Sequence, residues 1–396
     1  MALRKAARRF GVSLCTVQRW VERAIGQRLD RVDWSDATHR PRRTTRVPRD
    51  VEDKVLAVRS RLRDESVLGH YGANAILETL RQLGVDPVPS RSTIVRIVRR
   101  RGALTTRRRI RRPPPPRGWY LSPVARGKAE LDSFDFIESL KIRSGPRLDV
   151  LTGISLHGGL PAAFPVIRRT TTGVCNALVR HWRKHGLPDE AQFDNDTVFH
   201  GSHRYADTVG RVARFCLSLG IVVVFVAPHG HGPQNPVEGF NARWQAKVWR
   251  RFHWGSLAEL RRGSGCHLAA VRQYRASRIE QAPARRPFPA NWTFDVDAPL
   301  RGTIIFLRRL DDQGRATLFG HRFSVSAEWA QKLVRAEVRL DAQRIAFFGL
   351  SRRQPAQHPR LATVLSLPKT PHAARRRLRG AVFPLYLFGG LRVNPR

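Results

Sequence analysis

The sequence predicts a multidomain chain: N-terminal all-α helix-turn-helix units, a central α/β core with a mixed sheet, and a small C-terminal β-barrel. Three observations predict this order. Two short blocks carry apolar residues at helical spacing, a central block alternates strand-like and helix-like runs, and short strands broken by turns follow it. The 396 residues are enough for roughly two to four domains.

The first block, 1–45, has the spacing of a helix-turn-helix. Leu3–Phe10 and Ser13–Arg23 are predicted helices, Gly11 permits the positive φ of a tight turn, and Ser13 is the expected N-cap. The alternative is an ordinary helical hairpin with a basic face. The DNA-binding interpretation assigns contacts with base edges or phosphates to Thr16, Gln18 and Arg19.

The second block, 46–102, repeats this pattern. Ser90 is the expected cap of a helix over Ser92–Arg101 that turns its apolar residues inward. The alternative is a packing helix with a solvated basic face. The residues expected to contact DNA are Arg91, Arg96, Arg99 and Arg100. An Arg/Pro-rich linker, 103–125, follows, and its four successive prolines favour an extended chain.

The charge of the chain favours a polyanionic partner. Lys and Arg number 72 against 31 Asp and Glu, which gives a formal net charge of +41 and a pI of about 11.8. Because the charge is clustered, double-stranded DNA is a better expectation than a ribosome-like or merely soluble basic protein. A hydrophobic content of 41% excludes a wholly disordered basic tail.

The sequence also bounds the cellular setting. Its four cysteines, Cys15, Cys175, Cys216 and Cys266, form no CxxC pair, which argues against a zinc ribbon and a disulfide-rich secreted scaffold. No apolar run reaches the roughly 18 residues of a membrane span, and the first residues lack the apolar part of a signal peptide. We therefore expect a soluble cytoplasmic protein without a membrane partner.

The central block, 126–290, predicts a mixed sheet with helices on both faces. Its element order is three strands, helix, strand, helix, strand and a long helix from about Asn235. A continuous apolar run suits a strand buried on both faces, which is the expectation for Ile221–Ala227. The predicted strands are Leu131–Phe136, Leu148–Leu156, Ala162–Ile167, Ala191–Asp194 and Ile221–Ala227.

The last blocks are a predicted small SH3-like β-barrel, 298–365, and a basic tail, 366–396, whose apolar segment Phe383–Leu391 has no physical account from the sequence. Short strands at even spacing predict the barrel. These strands are Thr303–Arg308, Arg315–Phe319, Arg322–Val325, Ala336–Leu340 and Arg344–Phe348.

Three carboxylates form the candidate catalytic and metal site. Asp135 lies in the middle of a strand, Asp194 at the end of another, and Glu238 in the first turn of a helix. Strand ends and helix starts of an open α/β sheet converge on one crevice, where a divalent cation would relieve the repulsion between acids. Oxygen ligands select Mg²⁺ or Mn²⁺, and two such ions about 3.5–4 Å apart support an in-line phosphoryl displacement.

Asp132 and Asp149 are the alternatives for the first acid. Asp132 lies three residues before Asp135 on the same strand, so it is expected to face the other side of the sheet. Asp149 begins a strand rather than occupying its middle. Both positions are therefore less suited to the crevice than Asp135.

The segments FDFIESL, FDNDTVF and VEGFNARWQ resemble the integrase core of retroviral-integrase-like DDE transposases, notably bacterial insertion-sequence transposases. The resemblance maps Asp135, Asp194 and Glu238 to the three acids, Phe199 to the aromatic residue of an Asp-Asn-Gly-x-x-Phe motif, and Asn241 to a Glu-x-x-Asn motif. It implies a ribonuclease-H-like core, two bound Mg²⁺ (or Mn²⁺) ions and DNA strand transfer.

The chain departs from that family pattern at Asp196, which replaces the usual glycine and adds an acid beside the site. The interval from Asp194 to Glu238 is also longer than in the retroviral members. On the helix after Glu238, spacings of three and four residues place three predicted DNA contacts on one face. These contacts are Arg243, Lys247 and Arg250.

The functional expectation is a transposase that hydrolyses mobile-element ends and joins them to target DNA. The resemblance implies a homo-oligomer on DNA, because two ends are handled together, in a nucleoid-associated bacterial setting. The alternative is a catalytically inactive transposase-derived DNA-binding protein, which the additional acid Asp196 favours. A structure-selective nuclease on the same fold is less favoured, because two helix-turn-helix blocks precede the core.

Overall fold

The computed structural model describes residues 2–35, 47–103, 117–143, 145–201, 208–228 and 232–350, and the strand 360–366. Most of the predicted linker and the tail after 366 lie outside the described residues. The chain divides into two compact units, Met1–Val58 with Ile76–Ala103, and Arg59–Ala75 with Leu104–Arg396. Within the described part of the chain, no helix is both long enough and apolar enough to cross a membrane.

The first two helices are joined by the predicted glycine turn. Gly11 has φ 63° and donates its N–H to the carbonyls of Ala7 and Arg8, while the Ser13 side chain accepts the N–H of Thr16. The two helices and the turn are confirmed, whereas their assignment as a helix-turn-helix unit and its role in DNA binding stay predictions. The N-terminal helices are α1 (Leu3–Phe10), α2 (Leu14–Ala24), α3 (Arg49–Glu65), α4 (Ala73–Gln82) and α5 (Arg91–Arg100).

The predicted capping of α5 is also confirmed, because the Ser90 side chain accepts the N–H of Thr93. Ile94, Ile97 and Val98 of α5 are buried, as are Ile76 and Leu80 of α4. Glu52 is buried as well and forms ion pairs with Arg100 and Arg101. A buried carboxylate needs such partners to offset its lost hydration.

Within the described residues, a nine-stranded mixed sheet organises the second unit. Its order is β11-β10-β9-β6-β5-β4-β1-β2-β3, with β1, β4, β5 and β6 mutually parallel and antiparallel pairs on either side. The strands are β1 (Leu131–Lys141), β2 (Arg147–Ser155), β3 (Pro161–Val166), β4 (Glu190–Phe193), β5 (Val222–Phe225), β6 (Thr303–Arg309), β9 (Leu333–Arg339), β10 (Arg344–Gly349) and β11 (Arg360–Ser366); β7 (Arg315–Leu318) and β8 (His321–Ser324) form a separate hairpin.

Helices cover both faces of this sheet, as the element order predicts. Trp182 and Phe215 belong to a cluster that packs on Phe134 and Phe193, whereas Phe240 and Trp244 pack on the opposite face. The helices are α6 (Ser122–Ala125), α7 (Thr171–His185), α8 (Thr197–His200), α9 (Arg211–Ser218), α10 (Asn235–Trp244), α11 (Leu257–Tyr274) and α12 (Ala276–Glu280).

Strand β5 shows why the centre of the sheet is parallel. Its Val223 and Phe225 pack with the α7 and α9 side, while Val224 packs on the other face with Trp119 and Tyr120. A strand that is apolar on both faces needs a covering layer on each side. The prediction of a doubly buried strand at 221–227 is therefore confirmed.

The small C-terminal barrel is not confirmed, although all its predicted strands are present. Strand β6 pairs in parallel with β5, so the strands after it extend the core sheet. The β7–β8 hairpin packs Leu318 and Phe323 against Phe306 and Phe347. Because β6 is itself buried over Ile304–Leu307, it lies inside a sheet rather than at its edge.

Candidate active site

Asp135 occupies the middle of β1, where the sequence places it. One carboxylate oxygen accepts the N–H of Phe136 at 2.8 Å, and the other accepts the side-chain amide of Asn241 at 2.8 Å. Thr152, its register partner on β2, contacts the amide oxygen of Asn241. Helix α10 is thereby tied to β1 and β2 at the position of this carboxylate.

Asp194 follows the last residue of β4 and begins a tight loop. Its carboxylate accepts the N–H of Asp196 at 3.0 Å, and the carboxylate of Asp196 accepts the N–H of Val198 at 2.9 Å. Phe199 is fully buried and lies against the rings of Phe136 and Phe193, at centroid distances of 5.5 and 5.0 Å. This aromatic contact fixes the loop beside β1.

Glu238 lies in the first turn of α10 and is exposed. Among the described residues, its carboxylate has no hydrogen-bond or ion-pair partner. The predicted long helix is interrupted, because a π-helical segment spans Gln245–Trp249 after Trp244. The i→i+5 hydrogen bonds of this segment change the rotation from one residue to the next. The α-helical spacing that predicts Arg243, Lys247 and Arg250 on one face therefore does not continue past Trp244.

The charges of Asp194 and Glu238 both act on the Asp135 carboxyl. Burial, followed by the charges of Asp194 and Glu238, raises the pKa of Asp135 to about 6 from its usual 3.8. Burial, followed by Asp196 and Glu138, raises the pKa of Asp194, against the hydrogen bond from the Asp196 N–H. Asp135 is therefore within Coulombic range of both Asp194 and Glu238. Among the described residues, no three His, Cys, Asp or Glu side chains lie close enough together to form a metal-holding group.

Arg169 forms ion pairs with three acids beside the candidate site, and no sequence motif identifies it. Its guanidinium forms ion pairs with Glu138 at 2.6 Å, Asp196 at 2.8 Å and Asp149 at 3.2 Å. Asp149 also accepts the N–H of Ser139, which has φ 57° in a bulge of β1. Arg169 precedes α7 by two residues, so no local pattern connects it to acids on three other segments.

Asp132, the alternative first acid, faces away from Asp135 as its spacing predicts. It is 1% exposed and accepts two hydrogen bonds from Arg285, at 2.9 and 2.6 Å, and one from the indole of Trp182 at 2.9 Å. Despite burial, Arg285 holds the pKa of this carboxyl below its usual range. Asp132 therefore belongs to a buried ion pair beneath α7.

The predicted DNA contacts fall into two groups. Lys247 donates to the Gly69 carbonyl at 2.8 Å and lies over the Tyr71 ring, and Arg100 pairs with Glu52, so both are engaged within the chain. Thr16 bonds to Ser13 next to it. The remaining contacts are exposed and form no ion pair with a described carboxylate: Gln18, Arg19, Arg91, Arg96, Arg99, Arg243 and Arg250.

Four arginines of the core lie close enough to repel one another: Arg117, Arg243, Arg275 and Arg278. Burial, then the charges of Arg243 and Arg278, lowers the pKa of Arg275 to about 10. Arg275 donates to the Gly159 carbonyl at 2.6 Å and Arg278 to the Leu156 carbonyl at 2.9 Å. None of the four forms an ion pair with a described carboxylate, so this surface favours an anion.

No protein-family model and no curated protein matches the chain. Solved structures that it resembles include a chain of a simian T-cell lymphotropic virus intasome bound to the PP2A regulatory subunit B56 gamma, at 12% identity and TM-score 0.35, covering 68% of this chain and 87% of that one. The catalytic core domain of BIV integrase follows at 15% identity and TM-score 0.27, covering 36% and 83%. The HTLV-2 integrase catalytic core domain in complex with magnesium has 14% identity and TM-score 0.28, covering 36% and 84%. Because the identities and TM-scores are this low, the function is inferred from the residues of this chain alone.

Proposed function

We propose that the chain is a DNA transposase that hydrolyses mobile-element ends and joins them to target DNA with metal ions held by Asp135, Asp194 and Glu238. The observation that carries this proposal is the place of Asp135 in the middle of β1, where the Asn241 amide ties its carboxylate to the helix that bears Glu238. Burial first, and then the charges of Asp194 and Glu238, raise the pKa of this carboxyl to about 6. Perturbed carboxyl groups from separate elements are typical of a functional site. The strand order β3-β2-β1-β4-β5 supports the ribonuclease-H-like core that the sequence motifs imply.

The donor set fits Mg²⁺ or Mn²⁺, because all three side chains are carboxylates whose mutual repulsion a hard cation would relieve. When bound, two such ions supply Lewis acidity to the attacking and leaving oxygens of an in-line phosphoryl displacement. The amide of Asn241 and the N–H of Phe136 orient Asp135, and the N–H of Asp196 orients Asp194. The exposed Glu238 would complete the set from α10.

The proposal of a DNA partner is supported by arginine side chains that form no ion pair with a described carboxylate. The four core arginines form no ion pair with a described carboxylate, and the same is true of Arg19 in α2 and of Arg91, Arg96 and Arg99 in α5. Phosphate contacts of this kind supply affinity that falls steeply with salt, while base contacts add sequence choice. We further propose that the chain acts as a homo-oligomer, because joining requires two DNA ends in one complex.

The test uses the full chain, Mg²⁺ and a plasmid that carries the DNA flanking the coding region on both sides, where a mobile element would have its inverted repeats. We expect nicks at the repeat ends that leave 3′-hydroxyls, joined products at later times, and neither product after chelation of the metal. Asp194→Asn should abolish both products while its DNA dissociation constant stays within about twofold of the wild type, since phosphate contacts supply the affinity. Undiminished joining by Asp194→Asn would contradict the mechanism.

A second candidate is a catalytically inactive, transposase-derived DNA-binding protein. The observation that favours it is Arg169, whose ion pairs with Glu138, Asp149 and Asp196 place a fixed cation at the rim where metal ions are proposed. This candidate predicts the same DNA affinity for wild type and Asp194→Asn, with no product from either in Mg²⁺ or Mn²⁺. The plasmid assay therefore separates the two candidates.

A further inference from the structure

A cavity of about 590 Å³ opens beside the end of β4, next to the candidate active site. Asn195 and His200 line it from the loop after Asp194, and arginines line it from β6 and β7. Leu318 and Phe319 add an apolar wall. The volume lies in the range of pockets that bind small molecules, and it is larger than a lone phosphate needs.

Arg308 is the central cation of this cavity. Its guanidinium donates to the Val226 carbonyl and to the side-chain oxygen of Asn195, each at 3.1 Å, and lies 4.9 Å from the centre of the Phe306 ring. These acceptors are neutral, and no described carboxylate pairs with Arg308. Burial lowers its pKa to about 10. A partly buried charge without a counter-ion is costly, and an anion entering the cavity would compensate it.

Asn195 links the Arg308 guanidinium to the end of β4. Its side-chain nitrogen donates to the Val226 carbonyl at 2.6 Å, while its oxygen accepts from Arg308. Asn195 directly follows Asp194, so one side chain connects the ends of β4, β5 and β6. A guanidinium held by fixed acceptors is preorganised to bind phosphate oxygens through its remaining N–H groups.

The rim of the cavity adds further positive charge. Arg309 donates to the Gln331 carbonyl and forms no ion pair with a described carboxylate. Arg315 is paired with Asp311 at 2.9 Å, so this pair contributes little net charge. The cavity is therefore cationic overall, with an apolar wall, which fits the phosphate and the sugar or base of a nucleotide better than it fits a metal or an apolar ligand.

We propose that this cavity, centred on Arg308, binds one nucleotide of a DNA strand through its phosphodiester, beside the phosphodiester that reacts at Asp194. The proposal rests on the proposed function for the identity of the strand. Arg308 is then a positioning residue, because a neighbouring phosphate held by a rigid guanidinium fixes where the reacting phosphate lies.

The test measures binding of the dinucleotide TpT, which has a single internal phosphodiester, to the full chain by calorimetry at about 0.15 M salt, where surface charges are screened beyond about 8 Å. Arg308→Gln removes the charge and keeps an amide donor for Asn195. We expect its dissociation constant to rise about tenfold, the usual value of one charge-assisted contact. Arg308→Lys, which keeps the charge, should stay within about threefold of the wild type.

Arg286→Gln is the matched control, because Arg286 also donates to carbonyls, those of Leu219 and Gly220, yet is not among the residues that line this cavity. It should bind TpT as the wild type does. Equal binding by wild type and Arg308→Gln, or equal weakening by Arg308→Gln and Arg308→Lys, would overturn the proposal. Binding of thymidine 5′-monophosphate and inorganic phosphate without TpT would also overturn it, because the cavity would then take a terminal or free phosphate.

These measurements need no cleavage, so the two proposals can fail separately. A charge-dependent TpT site in a protein that never nicks the plasmid would remove the catalytic proposal and leave the cavity as a strand-binding site. Metal-dependent nicking with unchanged TpT binding in Arg308→Gln would remove the cavity proposal alone.

Discussion

Asp135→Asn is expected to stabilise the metal-free protein at alkaline pH while it lowers strand cleavage on the order of a thousandfold, the effect of removing about 4 kcal/mol of transition-state stabilisation. The pKa of Asp135 is raised from 3.8 to about 6. A carboxyl whose folded-state pKa is raised stabilises the fold below about pH 4, and that contribution is lost as the pH rises through about 6. Above that pH, the ionised Asp135 destabilises the folded protein by about 3 kcal/mol. The asparagine variant avoids this cost but loses one hydrogen bond, which is worth about 1 kcal/mol.

The measurement is the free energy of unfolding of both proteins at pH 4.5 and pH 8 in the presence of a metal chelator. Asp135→Asn should differ little at the lower pH and gain about 1–2 kcal/mol at the higher pH. Asp312→Asn, which replaces an exposed acid of the β6–β7 turn, is the control and should change the free energy of unfolding by less than about 0.5 kcal/mol. If the variant were less stable than the wild type at pH 8, the ionised Asp135 would not destabilise the folded protein, which would contradict this expectation.

Arg285→Met is expected to cause the largest loss of stability, about 3–5 kcal/mol, because it leaves the Asp132 carboxylate buried without its cation. Asp132 is 1% exposed, and Arg285 supplies two of its three side-chain hydrogen bonds. The same arginine donates to the Gly186 carbonyl at 3.0 Å, so it also holds the segment after α12 against the end of α7.

Chemical denaturation of the Arg285 variant against Arg286→Met tests this expectation, since the exposed neighbour should lose less than about 1 kcal/mol. The double variant Asp132→Leu with Arg285→Met should recover at least about half of the loss, because it removes the buried charge together with its partner. A double variant as unstable as Arg285→Met would indicate that the contacts of Arg285 with Gly186, rather than its pairing with Asp132, carry the stability.

Local patterns in the sequence predict most helices and strands of this fold. Alternation and continuous apolar runs locate the strands, and Gly11, Ser13 and Ser90 locate turns and helix starts, because each effect acts over a few residues. The period of two along β1 also separates Asp135 from Asp132 correctly. These features depend on neighbours in the chain, so the sequence contains them directly.

The features that the sequence does not predict depend on distant partners. The pairing of β5 with β6 joins Val223 to Ile304, and through it three of the expected barrel strands, β6, β9 and β10, become part of the core sheet, while β7 and β8 form a separate hairpin. Arg169 and Arg308 meet their partners across the fold, and neither lies in a recognisable motif. The π-helical segment after Trp244 is another such case, since helical spacing alone predicts an uninterrupted helix there.

The most direct test of the proposed site is the number of Mn²⁺ ions that the full chain binds at pH 8, counted by electron paramagnetic resonance of the free ion. We expect up to two bound ions in the wild type and the loss of at least one in each of Asp135→Asn, Asp194→Asn and Glu238→Gln. Asp312→Asn should bind as many ions as the wild type. Equal binding by the wild type and all three acid variants would contradict a shared metal site.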